Sequence, residues 1–309
     1  MTKVVLVVGF PACGKSTVAE EFKGWERLNR DLLGGSVSDL VPRLVDILRD
    51  GKNVVLDNLF TTAAERKPFI EAAKKAGARV ECYWIGTSPE DSQFNACRRM
   101  YQKFGQVLRP AELKEKAKDP NTFPPVVLFK AKKAFEKPTT AEGFDEVKKI
   151  AFNRIWSPEY KNKAIVLDYD GTLRDSKAGN KWPTDPEDVF ILPNRTKVLK
   201  EWKKKGYILC GASNQSGIAK GNPTEDVAIA CFERTNKLLG IEIDFMYDSS
   251  RVPPVSSWLR KPLPGLGVHF IEKYKLNPGE SIMVGDMTSD KTFAGRCGFQ
   301  YQDAKDFFR

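Results

Sequence analysis

Histidine is nearly absent: the chain has one, His269, in 309 residues. It sits on a helical stretch beginning near Leu266 and reads as a packing or surface residue rather than a functional one. The six cysteines, Cys13, Cys82, Cys97, Cys210, Cys231 and Cys297, lie far apart without a Cys-x-x-Cys pair. That spacing suggests neither a zinc site nor a disulfide framework, and a reducing, cytoplasmic compartment is expected. The N-terminal apolar run Val4 to Val8 is too short to span a membrane and leads into a glycine loop rather than a cleavage site. It reads as a first buried strand, and no membrane partner is expected. Low-complexity and fibrous segments are missing as well. What remains is a globular composition, 41% hydrophobic, in a chain long enough for two ordinary domains. Acidic excess is lacking in both halves: residues 1–152 carry 26 Lys and Arg against 20 Asp and Glu, the remainder 24 against 20. A basic excess on each half suits a polyanionic substrate.

Asp168-Tyr169-Asp170-Gly171-Thr172-Leu173 closes an apolar strand, Ala164 to Leu167. Carboxylates one residue apart at a strand's end project to the same side, where they share a hard cation and face a phosphate. A second phosphate device, Gly9-Phe10-Pro11-Ala12-Cys13-Gly14-Lys15-Ser16, stands a domain's length away. One half reads as built to add phosphate, the other to remove it.

The first device has the strand, loop, helix order it requires, with Val4 to Val8 before it and Ser16 to Phe22 after it. Gly9 and Gly14, with Pro11, Ala12 and Cys13 between them, let the backbone wrap a polyphosphate. Lys15 reaches for its outer phosphates, Ser16 for a metal ion and Thr17 for a phosphate oxygen. Asp31, in Leu28-Asn29-Arg30-Asp31, is the first carboxylate placed to take an acceptor's proton, with a helix N-cap as the competing role. A second strand, Asn53 to Leu56, ends in Asp57-Asn58, where a carboxylate faces the nucleotide's metal or caps the helix Thr62 to Ala76. Arg66 lies early in that helix. A third strand, Arg79 to Ile85, leads to a helix from Pro89 to Tyr101 bearing Asn95, Arg98 and Arg99. The basic, proline-broken stretch from Lys103 to Lys137 reads as a lid over the phosphate loop.

Together with Phe135-Glu136-x-Pro138-Thr139-x-Ala141-Glu142-Gly143-Phe144, these motifs resemble the kinase domain of the polynucleotide kinase/phosphatase family. The resemblance covers residues 1–152 and implies ATP as phosphate donor, with Asp31 as general base for a 5′-hydroxyl. It implies Arg98, with Arg99 as alternative, on the phosphates, Ser16 and Asp57 at Mg²⁺, and Arg30, Asn58 and Arg66 on the substrate. Phage members carry an arginine three residues after that aspartate; this chain has Gly34.

Residues 153–162 lack periodicity and mark a linker. From residue 163 to 309, four motifs follow in order: Asp168-x-Asp170, then Ser213-Asn214-Gln215 closing strand Tyr207 to Ala212, then Arg260-Lys261-Pro262, then Gly285-Asp286 with Asp290 beyond. The set resembles the haloacid-dehalogenase phosphatase superfamily. That implies Asp168 as nucleophile, Asp170 as acid/base, Lys261 and Ser213 at the phosphoryl group, and Asn214 and Arg260 on the substrate. Asp168, Asp170 through its carbonyl, and Asp286 hold Mg²⁺ in this reading, with Asp290 beside them.

The fold class expected is α/β in two domains, each a mostly parallel sheet flanked by helices: a P-loop kinase fold, then a Rossmann-like phosphatase fold without a large cap. Fewer than fifty residues separate Asp170 from Ser213, and Ser213 from Lys261, too few for a folded cap domain. An open site favours a polymer end over a small metabolite. Sugar-phosphatase members often carry a cysteine-rich zinc loop before Arg-Lys-Pro, whereas Tyr247 to Leu259 has neither cysteine nor histidine. A kinase and a phosphatase acting on one position would only hydrolyse ATP, so they are expected to act on different ends. The resulting expectation is an enzyme that phosphorylates 5′-hydroxyls and removes 3′-phosphates on nucleic-acid strands, DNA or RNA, ahead of a ligase. A bifunctional small-metabolite kinase/phosphatase is the alternative.

Overall fold

The computed structural model describes residues 1–309. Its contacts divide the chain into two units, Met1–Asn95 with Val126–Arg154, and Ala96–Pro125 with Ile155–Arg309. The first is organised on five parallel strands, β1 (Lys3–Val8), β2 (Glu26–Leu28), β3 (Val54–Asp57), β4 (Arg79–Ile85) and β5 (Glu146–Ile150), in the order β2-β3-β1-β4-β5.

A run such as Val4 to Val8 forms this centre because β-branched residues suit a strand covered on both faces. Val4, Leu6 and Val8 pack on one side with Leu44, Leu56 and Phe69. Val5 and Val7 pack on the other with Val18, Ala19 and Val55. Each fully buried Leu, Val or Phe of this kind contributes about 1.5–3 kcal/mol. The register pairs Val7 with Asp57, which sets Asp57 beside the loop that leaves β1.

The second unit has its own parallel sheet, β6 (Ala164–Leu167), β9 (Ile208–Asn214), β10 (Asp244–Asp248), β11 (Ile282–Gly285) and β12 (Gln300–Asp303), in the order β10-β9-β6-β11-β12. An antiparallel ribbon, β7 (Arg174–Ser176) with β8 (Val189–Ile191), follows β6. No folded cap domain interrupts the chain between Asp170 and Lys261. In both sheets the chain leaves the central strand in both directions, and ligands bind at the carboxyl ends beside such a reversal.

Three differences from the sequence-based expectation have physical reasons. The helix after the phosphate loop spans only Lys15–Ala19. The edge strands β5 and β12 escape the pattern because their side chains are mostly polar and only half-buried. The expected lid does not stay with the phosphate loop as one piece: Ala96–Pro125 belongs to the second unit. There the fully buried Trp258 donates its indole N–H to the Phe123 carbonyl at 2.7 Å and packs edge-on against the Phe123 ring.

Candidate phosphoryl-transfer sites

In the first unit, the loop after β1 turns through two left-handed residues, Ala12 (φ 61°) and Gly14 (φ 102°). Gly9 admits no side chain, since a Cβ there would lie 2.6 Å from Cys13 Sγ and 3.3 Å from Ile85 Cβ. Two side chains pin the loop from outside: Thr87 donates to the Cys13 carbonyl at 2.7 Å and Asn95 to the Ala12 carbonyl at 3.0 Å. Cys13 itself is buried, and burial raises its thiol pKa. Lys15 folds over the loop, with Nζ 2.8 Å from the Phe10 carbonyl and 3.1 Å from that of Gly9. Pro11 is half-buried, while Ser16 and Thr17 are exposed beside Lys15.

Asn29 caps the short helix Arg30–Leu33, its side chain accepting from the amides of Asp31 and Leu32. The cap role is therefore taken, and the Asp31 carboxylate stands 41% exposed, bonded only to Arg30. Asn58 braces this turn, accepting from Arg30 N at 2.8 Å and donating to the Leu28 carbonyl at 3.0 Å. Asp57 is not a helix cap either: Thr62 and Glu65 form that capping box. The Asp57 carboxylate is 2% exposed and bonds Arg27 and Asn29 through Oδ2.

In the second unit, the carboxylates of Asp168, Asp286 and Asp290 come together with ligand oxygens within 4.8 Å of one another. Lys261 Nζ lies 2.8 Å from Asp168 Oδ1 and 2.7 Å from Asp290 Oδ1. Burial works to lower the Lys261 pKa, but the two carboxylates outweigh it and the pKa is raised. Burial pushes Asp168 up to about 6, against the pull of Lys261. Asp286 is raised too, again chiefly by burial. One ammonium does not neutralise three carboxylates, and an oxygen-only cluster short of positive charge fits a hard divalent cation. Gly171 (φ +78°) keeps the entrance clear, since a Cβ there would come within 2.7 Å of Asp286 Oδ2.

Asp170 stays outside this cluster because both oxygens are engaged, Oδ1 by Arg174 Nε and Oδ2 by Gln215 Nε2, each at 2.9 Å. Gln215 also donates to Ser213 Oγ at 2.9 Å. Asn214 accepts from Lys261 N and donates to Lys261 O, both at 2.9 Å. Arg260 Nη1 lies 3.6 Å from Asp248 Oδ2.

Residues 163–308 match the model of the family described as "Polynucleotide kinase 3 phosphatase". Residues 36–118 match that of an "AAA domain". Residues 163–308 form a domain of the polynucleotide kinase 3′-phosphatase family. Over 153 residues the chain is 30% identical to the bifunctional polynucleotide phosphatase/kinase of Schizosaccharomyces pombe, covering 48% of this chain and 34% of that one, so it spans about a third of that relative's length. It is 33% identical over 138 residues to a probable D-glycero-D-manno-heptose-1,7-bisphosphate 7-phosphatase of Thermoplasma volcanium, covering 43% and 92%. A chain in the structure of the Pnkp1/Rnl/Hen1 RNA repair complex aligns over 98% of this chain and 95% of its own, at 17% identity and a TM-score of 0.33, too distant a likeness to assign anything.

The structure gathers Asp168, Asp170, Ser213, Lys261, Asp286 and Asp290 at the carboxyl edge of the second sheet. It gathers Lys15, Ser16, Asp31 and Asp57 at that of the first. Five residues read as ligand contacts have other partners. Arg66 is fully buried and gives its guanidinium to Glu142, at 2.6 and 2.8 Å, and to the Phe60 carbonyl. The amides of Asn58 and Asn214 are used on backbone. Arg98 bonds Glu272 Oε1 at 2.7 Å and the Tyr160 hydroxyl at 3.1 Å, over the Trp156 ring, inside the second unit. Arg99 bonds Asn121 at 3.0 Å in that unit as well. Each is a correction with the same cause: a long cation or a buried amide inside a fold finds a fixed partner there. Sequence reasoning missed Arg27 and Arg174, whose role is set by the carboxylate each faces. For Arg174 a signal existed, four residues after Asp170.

Proposed function

We propose that the chain heals nucleic-acid ends, using ATP and Mg²⁺ to phosphorylate a 5′-hydroxyl and removing a 3′-phosphate, so that a ligase can join the strand. The observation that carries this reading is the presence of a phosphate loop and of an aspartate–lysine cluster at the carboxyl edges of two separate sheets. In the first, Lys15 leaves the loop carbonyls for the outer phosphates of ATP. Asp31, held off the helix end by Asn29, takes the proton of the acceptor hydroxyl.

In the second, Asp168 attacks the terminal phosphorus and the leaving 3′-oxygen takes a proton from Asp170. Water, deprotonated by Asp170, then releases phosphate from the aspartyl group. Lys261 and Ser213 hold the phosphoryl oxygens. Asp168, Asp286 and the Asp170 carbonyl would hold Mg²⁺, which would neutralise charge on that phosphoryl group. The likeness to the heptose bisphosphatase of Thermoplasma volcanium covers 43% of this chain, and Tyr247 to Leu259 carries no zinc-loop cysteine.

An oligonucleotide with a 5′-hydroxyl and a 3′-phosphate, incubated with the protein, ATP and Mg²⁺ and followed by mass at both ends, tests this. Gain of phosphate at one end with loss at the other is expected, and parallel RNA and DNA strands set the preference. ATP hydrolysis with both ends unchanged would replace the reading with a small-molecule kinase and phosphatase.

A further inference from the structure

Beside the phosphatase cluster, still inside the second unit, lies a cleft of about 580 Å³ walled by Arg109, Asp248, Ser249, Ser250, Arg251 and Ser256. It adjoins the catalytic edge through two links. Gln215, whose side chain reaches Asp170 and Ser213, donates its backbone N–H to the Asp248 carbonyl at 2.7 Å. Arg260, next in sequence to Lys261, approaches the Asp248 carboxylate.

The wall's acids are already engaged. Asp248 is 2% exposed and accepts from Ser250 N and Oγ, at 3.2 and 2.6 Å, besides facing Arg260. Glu225 accepts the Tyr247 hydroxyl at 2.7 Å and stands 3.8 Å from Arg109. Arg109 is laid on the Tyr247 ring, 5.1 Å from its centroid, with Nη1 3.4 Å from Ser249 Oγ. Its guanidinium is thus held in place on a side chain that is 38% exposed. Arg251 is exposed on the facing loop. The surface therefore offers two arginines and several hydroxyls, a donor set that suits phosphodiester oxygens rather than base edges.

We propose that this cleft holds the phosphodiester backbone immediately 5′ of the terminal phosphate, with Arg109 and Arg251 as its contacts. This rests on the end-healing reading and adds to it a route for the strand. The segment that supplies Arg109 is sequentially part of the kinase half but serves the phosphatase. Recognition through backbone alone makes the 3′ activity indifferent to base identity.

The test compares kcat/KM for a 3′-phosphorylated oligonucleotide with that for p-nitrophenyl phosphate, which has no phosphodiester, in the full chain and in Arg109→Ala and Arg251→Ala. The ratio is expected to fall about tenfold or more in each variant, through KM. The salt slope of oligonucleotide binding should shrink by about 0.7 for each lost phosphate contact on a single strand. Retained 5′-kinase turnover shows that each variant is folded. An unchanged ratio in both folded variants overturns the proposal while leaving end healing intact; a wild-type chain that does not remove the oligonucleotide's 3′-phosphate overturns both.

Discussion

Asn214 gives both ends of its side-chain amide to the backbone of Lys261, so its effect on phosphate passes through the lysine rather than by contact. In Asn214→Ala the loop loses two hydrogen bonds, each worth about 0.5–1.5 kcal/mol, and the ammonium loses its fixed place between Asp168 and Asp290. The 3′-phosphatase kcat is expected to fall about tenfold or more with KM nearly constant, because misplacement costs the transition state more than binding. A raised KM with kcat preserved would restore Asn214 to the substrate. The sequence marks this residue as polar beside a strand's end, which is true of contact and support alike. The meeting of Asp168 and Lys261 was legible from the order of the motifs that carry them. Asn58, Asn214 and Arg66 were not, because an amide or guanidinium is equally at home on a phosphate or on a carbonyl, and only the fold decides which lies within 3 Å.

At the scale of elements, Arg66 ties the helix Ala63–Lys75 to the turn Thr140–Glu142 by a buried ion pair with Glu142. Arg66→Ala strands the Glu142 carboxylate and is expected to cost about 3–5 kcal/mol, read as a lower urea midpoint for loss of kinase activity. At temperatures where the variant is folded, its KM for the acceptor should match wild type, which a substrate contact would not allow.

The helix Gly265–Tyr274 carries a different kind of tie. His269 packs edge-on to Tyr101 and Phe270 with Nδ1 buried and unbonded, and burial, helped by Lys273, lowers its pKa below the usual 6.5. The unfolded chain therefore takes up this proton more readily than the folded one. The stability contributed by neutral His269 is complete above the unfolded value of about 6.5 and is lost as pH falls from there toward the folded pKa. His269→Leu should lose less stability than wild type between pH 7.5 and 5.5 in urea titrations. Equal acid losses would show that another group governs that window.

For the whole molecule, the divided segment Ala96–Pro125 matters most. Charge and proline content made it look like one lid, and the sequence offered no sign of where it packs, since packing partners 135 or 174 residues away leave no local pattern. In the structure it supplies the second unit with the Phe123 carbonyl for buried Trp258 and with Arg98 for Glu272, itself 3% exposed. A fragment of residues 163–309, although it carries every residue proposed to act in the phosphatase, leaves an indole N–H and a carboxylate without those partners and bares the surfaces they covered. Unsatisfied groups of this kind cost about 1–3 kcal/mol each, more when charged. The fragment is expected to melt several degrees below the phosphatase of the full chain and to turn over p-nitrophenyl phosphate with a shorter half-life at 37 °C. Adding back the Arg98 and Phe123 contacts by grafting residues 96–125 ahead of residue 155 should recover much of the loss. Equal melting of the bare fragment and the intact chain would mean that the segment rests on the second unit without holding it together.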